Sequence, residues 1–221
     1  GRDYETKKHV KKEGGLEDII SIRRRIGKEF KGDSPVRHKE AEVGIPATLH
    51  LVEEGCRRIM FVGDNLISSV YSNRHLGYQQ ALAERQLPVE SDLTFITALD
   101  EDSGERVMSR IREMGTPPDG IFAANDTTAV SIICALKQAG HTVPDDVAVV
   151  GFNDVHIARV IDPPLTTIRY PGVEMGEVAA RTLIESLDSP GPFISKTVVL
   201  NHQLIVRASS RKQAKQHQMP V

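Results

Sequence analysis

From residue 44 onward, two rhythms of apolar and polar positions alternate along the chain. Short unbroken apolar runs read as strands buried on both faces, and longer stretches with apolar residues three and four apart read as helices. The first helix is expected from about Ile45 to Glu54, with Leu49 and Val52 inward and Gly55 ending it. A strand at Arg58–Val62 leads through Gly63-Asp64-Asn65 into a helix from about Ser72 to Arg85. A strand at Leu93–Thr97 precedes a helix that Asp102 or Ser103 caps, that runs to Met114 and that Gly115-Thr116-Pro117-Pro118 closes. The strand Gly120–Ala123 gives way at Asn125-Asp126-Thr127 to a helix reaching Ala139, and Pro144-Asp145-Asp146 turns into the strand Val147–Val150. Beyond Pro163-Pro164 come a strand at Thr166–Arg169, a helix from about Val173 to Leu187, a strand at Lys196–Leu200 and a weaker one at 201–206. Strands separated by helices predict right-handed βαβ units, and so an α/β fold with a parallel sheet flanked by helices.

Residues 1–43 break this rhythm. Ile19, Ile22, Ile26 and Phe30 stand at helical spacing among Arg23, Arg24, Arg25 and Lys28, predicting one amphipathic basic helix over Leu16–Phe30. The segment around it, "KGDSPVRHKEAEVG" included, reads as loop, and residues 209–221 as a disordered tail.

Composition narrows the class. With 221 residues, 39% hydrophobic and 26% charged, the chain suits one ordinary domain or one and a half. The formal net charge of −2 conceals an uneven distribution. Residues 1–40 hold 12 Lys and Arg against 8 Asp and Glu, whereas residues 41–206 hold 12 against 22. An acidic body argues against a nucleic-acid surface there. Two cysteines, Cys56 and Cys134, imply neither a disulfide framework nor a cysteine-rich metal site, and fit a reducing compartment. No apolar stretch is long enough to span a bilayer, and the charged residues 1–18 lack the apolar core of a signal peptide, so the expectation is a cytoplasmic protein. The chain starts at Gly1, which reads as a fragment or a processed product.

The candidate chemistry gathers at strand ends. In an open parallel sheet, ligands bind beyond the carboxyl ends of the strands. Arg74 lies on the helix after the first of these strands, Asn125-Asp126 follow Gly120–Ala123, and Asn153-Asp154 follow Val147–Val150. A buried strand needs no amide and carboxylate at its tip, and a binding crevice does. Arg donates a forked pair of hydrogen bonds while Asn and Asp accept from hydroxyls, so the set suits a hydroxyl-rich ligand such as a sugar or nucleoside. Each member also has a plainer use: Asn125 or Asp126 as a helix cap, Asn153-Asp154 as turn residues, Arg74 as half of a surface ion pair. No phosphate-binding glycine loop, dinucleotide fingerprint or nucleophile elbow is present, and His50, His75, His141, His156 and His202 show no metal-ligand spacing. The expectation is a binding protein, not an enzyme, with no cofactor and no metal.

Several stretches, "HLVEEGCRRIMFVG", the R-x-x-G-Y of Arg74 to Tyr78, "PDGIFAANDTTAVSIICALKQAGHTVPDDVAVVGFND" and "PPLTTI", resemble the effector-binding core of LacI/GalR-type transcriptional repressors over about residues 44–208. The resemblance implies two Rossmann-like lobes, as in periplasmic sugar-binding proteins, with a small ligand between them whose binding switches operator affinity. By position, Arg74, Asn125 and Asn153 match family ligand contacts, and Asn153 stands where many members have Asp. The family layout implies a C-terminal lobe at 44–165, a strand and helix of the N-terminal lobe at 166–190 with Pro163-Pro164 at the crossover, and a return strand within 191–208. It also implies a homodimer, with Val130, Ile133, Val160 and Ile161 at the subunit interface. No helix-turn-helix is recognisable, so operator DNA is expected as a partner only through a domain not present here. Residues 1–43 resemble no part of the N-terminal lobe, which reads as a truncation, a fusion or a frame error upstream, with the basic helix packed on the helix at 173–187. The alternative is a sugar-binding component of a transporter, which would share the fold but need export.

Overall fold

The computed structural model describes residues 36–38, 44–188 and 198–212. The expected basic helix at 16–30 lies outside these. In chain order the elements are β1 (Val36–His38), α1 (Gly44–Glu53), β2 (Ile59–Gly63), α2 (Ser69–Glu84), a 3-10 turn (Ser91–Leu93), β3 (Thr94–Ile96), α3 (Ser103–Glu113), β4 (Gly120–Ala123), α4 (Asp126–Gln138), β5 (Ala148–Asn153), α5 (Ile157–Val160), β6 (Thr166–Arg169), α6 (Gly172–Asp188), β7 (Val198–Leu200) and β8 (Gln203–Ile205). They divide into a larger unit, His38–Pro171 with Asn201–Val221, and a smaller one, Gly1–Arg37 with Gly172–Leu200.

The larger unit is built on a six-stranded sheet in the order β3-β2-β4-β5-β6-β8, parallel except for β8, which runs antiparallel to β6. Its apolar runs are continuous because both faces are covered, and the period of two divides them between two cores. Met60, Val62, Ile121, Ala123, Val147 and Val149 join the buried faces of α3 and α4. Ile59, Phe61, Phe122, Ala124, Ala148, Val150 and Phe152 join those of α1 and α2. The strand order reverses between β2 and β4, so the crevice that a doubly wound sheet opens at such a switch point falls between their carboxyl ends. Helices α1 and α2 cross closely because both present glycine: a Cβ at Gly77 would lie 2.7 Å from the Gly44 nitrogen.

Three expectations need correction. The strand Thr166–Arg169, assigned by the family layout to the other lobe, lies in the main sheet as β6: Ile168 and Leu165 are fully buried in its opposite cores, and β6 pairs with β5 from Val150↔Thr166 to Asn153↔Arg169. The chain therefore leaves the larger unit after Pro171, not at Pro163-Pro164, and re-enters it at Asn201. The return strand is split, β7 belonging to the smaller unit and β8 to the main sheet. Second, the stretch read as loop before residue 44 contains β1, which pairs with β7 in a two-stranded sheet. Three residues are too few to show a period. Third, residues 209–212 are ordered by partners in the amino ends of the strands, while 213–221 lie outside the described residues. The Ser209 hydroxyl donates to the Val149 carbonyl at 2.6 Å and accepts from the Thr166 amide at 2.8 Å, and the Ser210 hydroxyl meets His50 Nε2 at 2.7 Å. The two Ser209 bonds engage backbone groups at the amino ends of β5 and β6.

The glycine crossing carries a direct test. Gly77→Ala should destabilise the larger unit by about 1–3 kcal/mol, because the added methyl meets backbone that cannot yield. Urea unfolding should show a lower midpoint at unchanged slope.

Candidate functional site

Arg74, Asn125 and Asn153 all arrive at the carboxyl edge of the sheet, each for a local reason. Arg74 stands on the second turn of α2, the helix that follows β2. Its guanidinium lies over the Phe152 ring at 3.7 Å from the centroid, with Tyr71 at 5.7 Å, and donates from Nη1 to the Ala124 carbonyl. One side chain thus bridges the ends of β4 and β5 beside the switch point, its charge resting on an aromatic face. The side chain is buried, and charged groups are seldom buried without such partners.

Asn125 is the N-cap of α4: its backbone is extended and its Oδ1 accepts from the Thr128 amide at 2.7 Å. This engages the acceptor end of the amide. Asn153 ends β5, opposite Arg169, at φ +118°, and Asp154 follows at φ +55°. Two consecutive non-glycine residues in the left-handed region cost about 1–3 kcal/mol each, and Asn and Asp are the types that tolerate it best. Asn153 is half-buried, and no side-chain hydrogen bond among the described residues engages its amide.

The two carboxylates expected as ligand contacts are turned to internal use. Asp126 is 1% exposed. Its Oδ1 accepts from the Thr167 hydroxyl at 2.6 Å and its Oδ2 from the Val155 amide at 2.8 Å, tying α4 to β6 and to the chain leaving β5. Burial pushes the Asp126 carboxyl above the usual carboxylate range, against the pull of those hydrogen bonds. A side chain at Gly151 would overlap Asp126 Oδ1, so glycine there makes room for the carboxylate. Asp154 accepts from Arg207 at 2.6 Å and from Arg159 at 3.0 Å, with only 5% of its side chain exposed. Partial burial pushes its carboxyl up, but the hydrogen bonds and charges of Arg207 and Arg159 outweigh this and hold it below the ordinary value. Both carboxylates thus have internal partners, and a ligand that took either oxygen would compete with these bonds.

A periplasmic binding protein-like domain model matches residues 48–210. The chain belongs to this family. It is 32% identical over 79% of its length to the NTD biosynthesis operon regulator NtdR of Bacillus subtilis, covering 53% of that protein. Among solved structures it resembles a sugar-binding transcriptional regulator of the LacI family from Escherichia coli, complexed with phosphate, at 28% identity and a TM-score of 0.71 over 79% of this chain and 62% of that one. It also resembles a complex of the transcriptional regulator CelR with cellobiose, at 29% identity and a TM-score of 0.69 over 79% and 53%. The LacI/GalR resemblance read from the motifs therefore holds, and these relatives are regulators, not enzymes. The chain spans about half the length of the curated relatives it matches. Among the described residues no helix is long and apolar enough to cross a membrane, and no cluster of His, Cys, Asp or Glu is arranged to hold a metal.

The four residues expected at a subunit interface fare differently. Val160 on α5 is 62% exposed, and Val155 and Ile157 beside it are exposed as well. Val130 and Ile161 are partly buried against the core. Ile133 is fully buried among the α3 and α4 side chains and has no surface to offer, which corrects its assignment. Sequence reasoning missed Phe152, Tyr71, Arg159 and Arg207. Phe152 stands inside the quoted "GFND" but reads there as one more strand residue, and the arginines lie 5 and 53 positions from the carboxylate they hold.

Asp154→Asn should cost about 1.5–3 kcal/mol of unfolding free energy at neutral pH, the worth of hydrogen bonds to a charged group. Since folding lowers the carboxyl's pKa, its contribution is complete above the unfolded value of about 3.9 and fades as pH falls through the folded one. Chemical unfolding from pH 7 to pH 3 should show wild type and variant converging only below about pH 4.

Proposed function

We propose that this chain supplies the effector-binding part of a LacI-type transcriptional regulator. It takes a small hydroxyl-rich ligand, a sugar or a close relative of one, at the carboxyl edge of its six-stranded sheet. The observation that carries the reading is the gathering of Arg74, Asn125 and Asn153 beside the switch point, on a fold shared with a regulator solved with cellobiose. Arg74 supplies charge-assisted donors, with Phe152 and Tyr71 setting its plane. Asn125 offers its amide nitrogen, its oxygen being committed to the helix cap. Asn153 offers both ends of an amide where a carboxylate would accept only, so ligand hydroxyls meet a donor as well as an acceptor. Asp126 and Asp154 lie behind these three as supports.

In this reading the regulator works in the cytoplasm as a homodimer. The exposed strip Val155, Ile157 and Val160 on the larger unit, flanked by Val130 and Ile161, is the apolar surface a second copy would cover. Operator DNA is then bound by a helix-turn-helix region outside residues 44–212, in keeping with the acidic body of the chain. A transporter component would share the fold, but the curated relative named above is an operon regulator.

Calorimetric titration with ribose, glucose and cellobiose tests the binding reading. Arg74→Ala and Asn153→Ala should each weaken the binding member of that panel by about 1.5–3 kcal/mol, roughly 10- to 100-fold in Kd. Unchanged affinity in both variants removes the assignment. The interface has its own check: Val160→Asp should shift a dimeric elution profile to monomer, since it puts a charge in the middle of the apolar strip.

A further inference from the structure

The turn that carries Asn153 is an improbable piece of backbone, and its neighbours explain why it persists. Asn153 and Asp154 both have left-handed φ, +118° and +55°, at the point where β5 ends. Neither is glycine, so the surroundings must impose the conformation. Two carboxylates do so from either side. Asp126 holds the next amide, Val155, at 2.8 Å. Asp154 is held by Arg207, on the segment after β8, at 2.6 Å, and by Arg159, on α5, at 3.0 Å. Arg207 is itself fixed: its Nη1 donates to the Leu165 carbonyl at 2.7 Å and its amide to the Thr166 hydroxyl at 2.8 Å. Its side chain is 16% exposed, so the guanidinium reaches Asp154 from inside the unit.

We infer that Asp154 is a positioning residue for the rim: clamped by Arg207 and Arg159, it holds Asn153 in the left-handed pose from which its amide meets a ligand. The inference rests on the effector-binding reading above and adds to it the residues that set the affinity of Asn153. The clamp reaches the rim from the far end of the chain, through a segment that joins the sheet only after β8. Aspartate is required there for its charge as well as its shape, since asparagine tolerates the same backbone but cannot bind two guanidinium groups at full strength. A site held by such a support loses affinity when the support loosens, even though every contact residue remains.

Nitrogen-15-labelled full-length chain decides the matter. Residual dipolar couplings of the Asn153 backbone N–H and the shifts of its side-chain amide should change in both Asp154→Asn and Arg207→Met, and the double variant should move them no further. Val107→Ala, which opens a cavity in the opposite core where α3 packs on the sheet, should leave them in place, which separates positioning from general loss of stability. Couplings at Asn153 that stay unchanged in the two clamp variants, or that move equally in Val107→Ala, overturn the inference. The panel member among ribose, glucose and cellobiose that binds wild type should weaken at least ~tenfold in both clamp variants and stay within about twofold in Val107→Ala. Retained affinity in the clamp variants also overturns it. If no panel sugar binds wild type, the binding reading falls while the couplings still decide whether Asp154 sets the pose of Asn153.

Discussion

The carboxylate of Asp126 is the point on which the carboxyl edge of the sheet depends. It begins α4, accepts from Thr167 on β6 and from the Val155 amide past the end of β5, and lies against Gly151 in the middle of β5. Three elements are fixed by one buried group. Such a group is costly to bury, and the cost shows in the raised pKa of its carboxyl. What offsets it is a full set of donors aimed at both oxygens. The same donors decide where the chain goes after β5, and so where Asn153 and Asp154 can stand.

The opposite edge of the sheet is organised by hydroxyls instead of charges. Ser209, Ser210 and Thr166 form a buried polar chain with His50, and burial lowers the pKa of that histidine against the pull of Glu54 and Glu53. Lys212 extends the contact by donating its amide to Glu54 and its ammonium to the Asp119 carbonyl. The segment after β8 therefore serves both edges. Its serines close the amino ends of β5 and β6, and Arg207 reaches toward the carboxyl end to hold Asp154.

Arg74 shows how a proposed site residue and a structural residue can be one side chain. Its guanidinium sits on Phe152 and bonds to the end of β4, so the packing of α2 on the sheet sets the position of the charge. The close crossing of α1 and α2 at Gly44 and Gly77 lies within one turn of Arg74, and the Arg74 carbonyl is among the atoms a methyl at Gly44 would strike. Helix packing and the position of the Arg74 guanidinium are thereby joined on the side where β2 gives way to α2.

The sequence by itself determined the strands and the longer helices of the larger unit, though not the four-residue α5, and the edge at which polar residues would gather. Its apolar runs and helical spacings are local signals, and a parallel sheet with both faces buried is the arrangement that satisfies them. The strand Gly120–Ala123 and the strand Thr166–Arg169 lie where the pattern put them, and Arg74, Asn125 and Asn153 do come to one edge. Tertiary structure decided what each polar group does there. Asp126 and Asp154 carry the same signal at strand ends as Asn153, yet their carboxylates are taken by Thr167, Arg159 and Arg207, partners that sequence spacing does not reveal. Ile133 has the spacing of an exposed helix face as much as of a buried one, and only the packing of α3 against α4 places it inside. The allocation of β6 to the main sheet likewise came from pairing with β5, because hydrogen bonds between strands join residues whose separation along the chain carries no pattern.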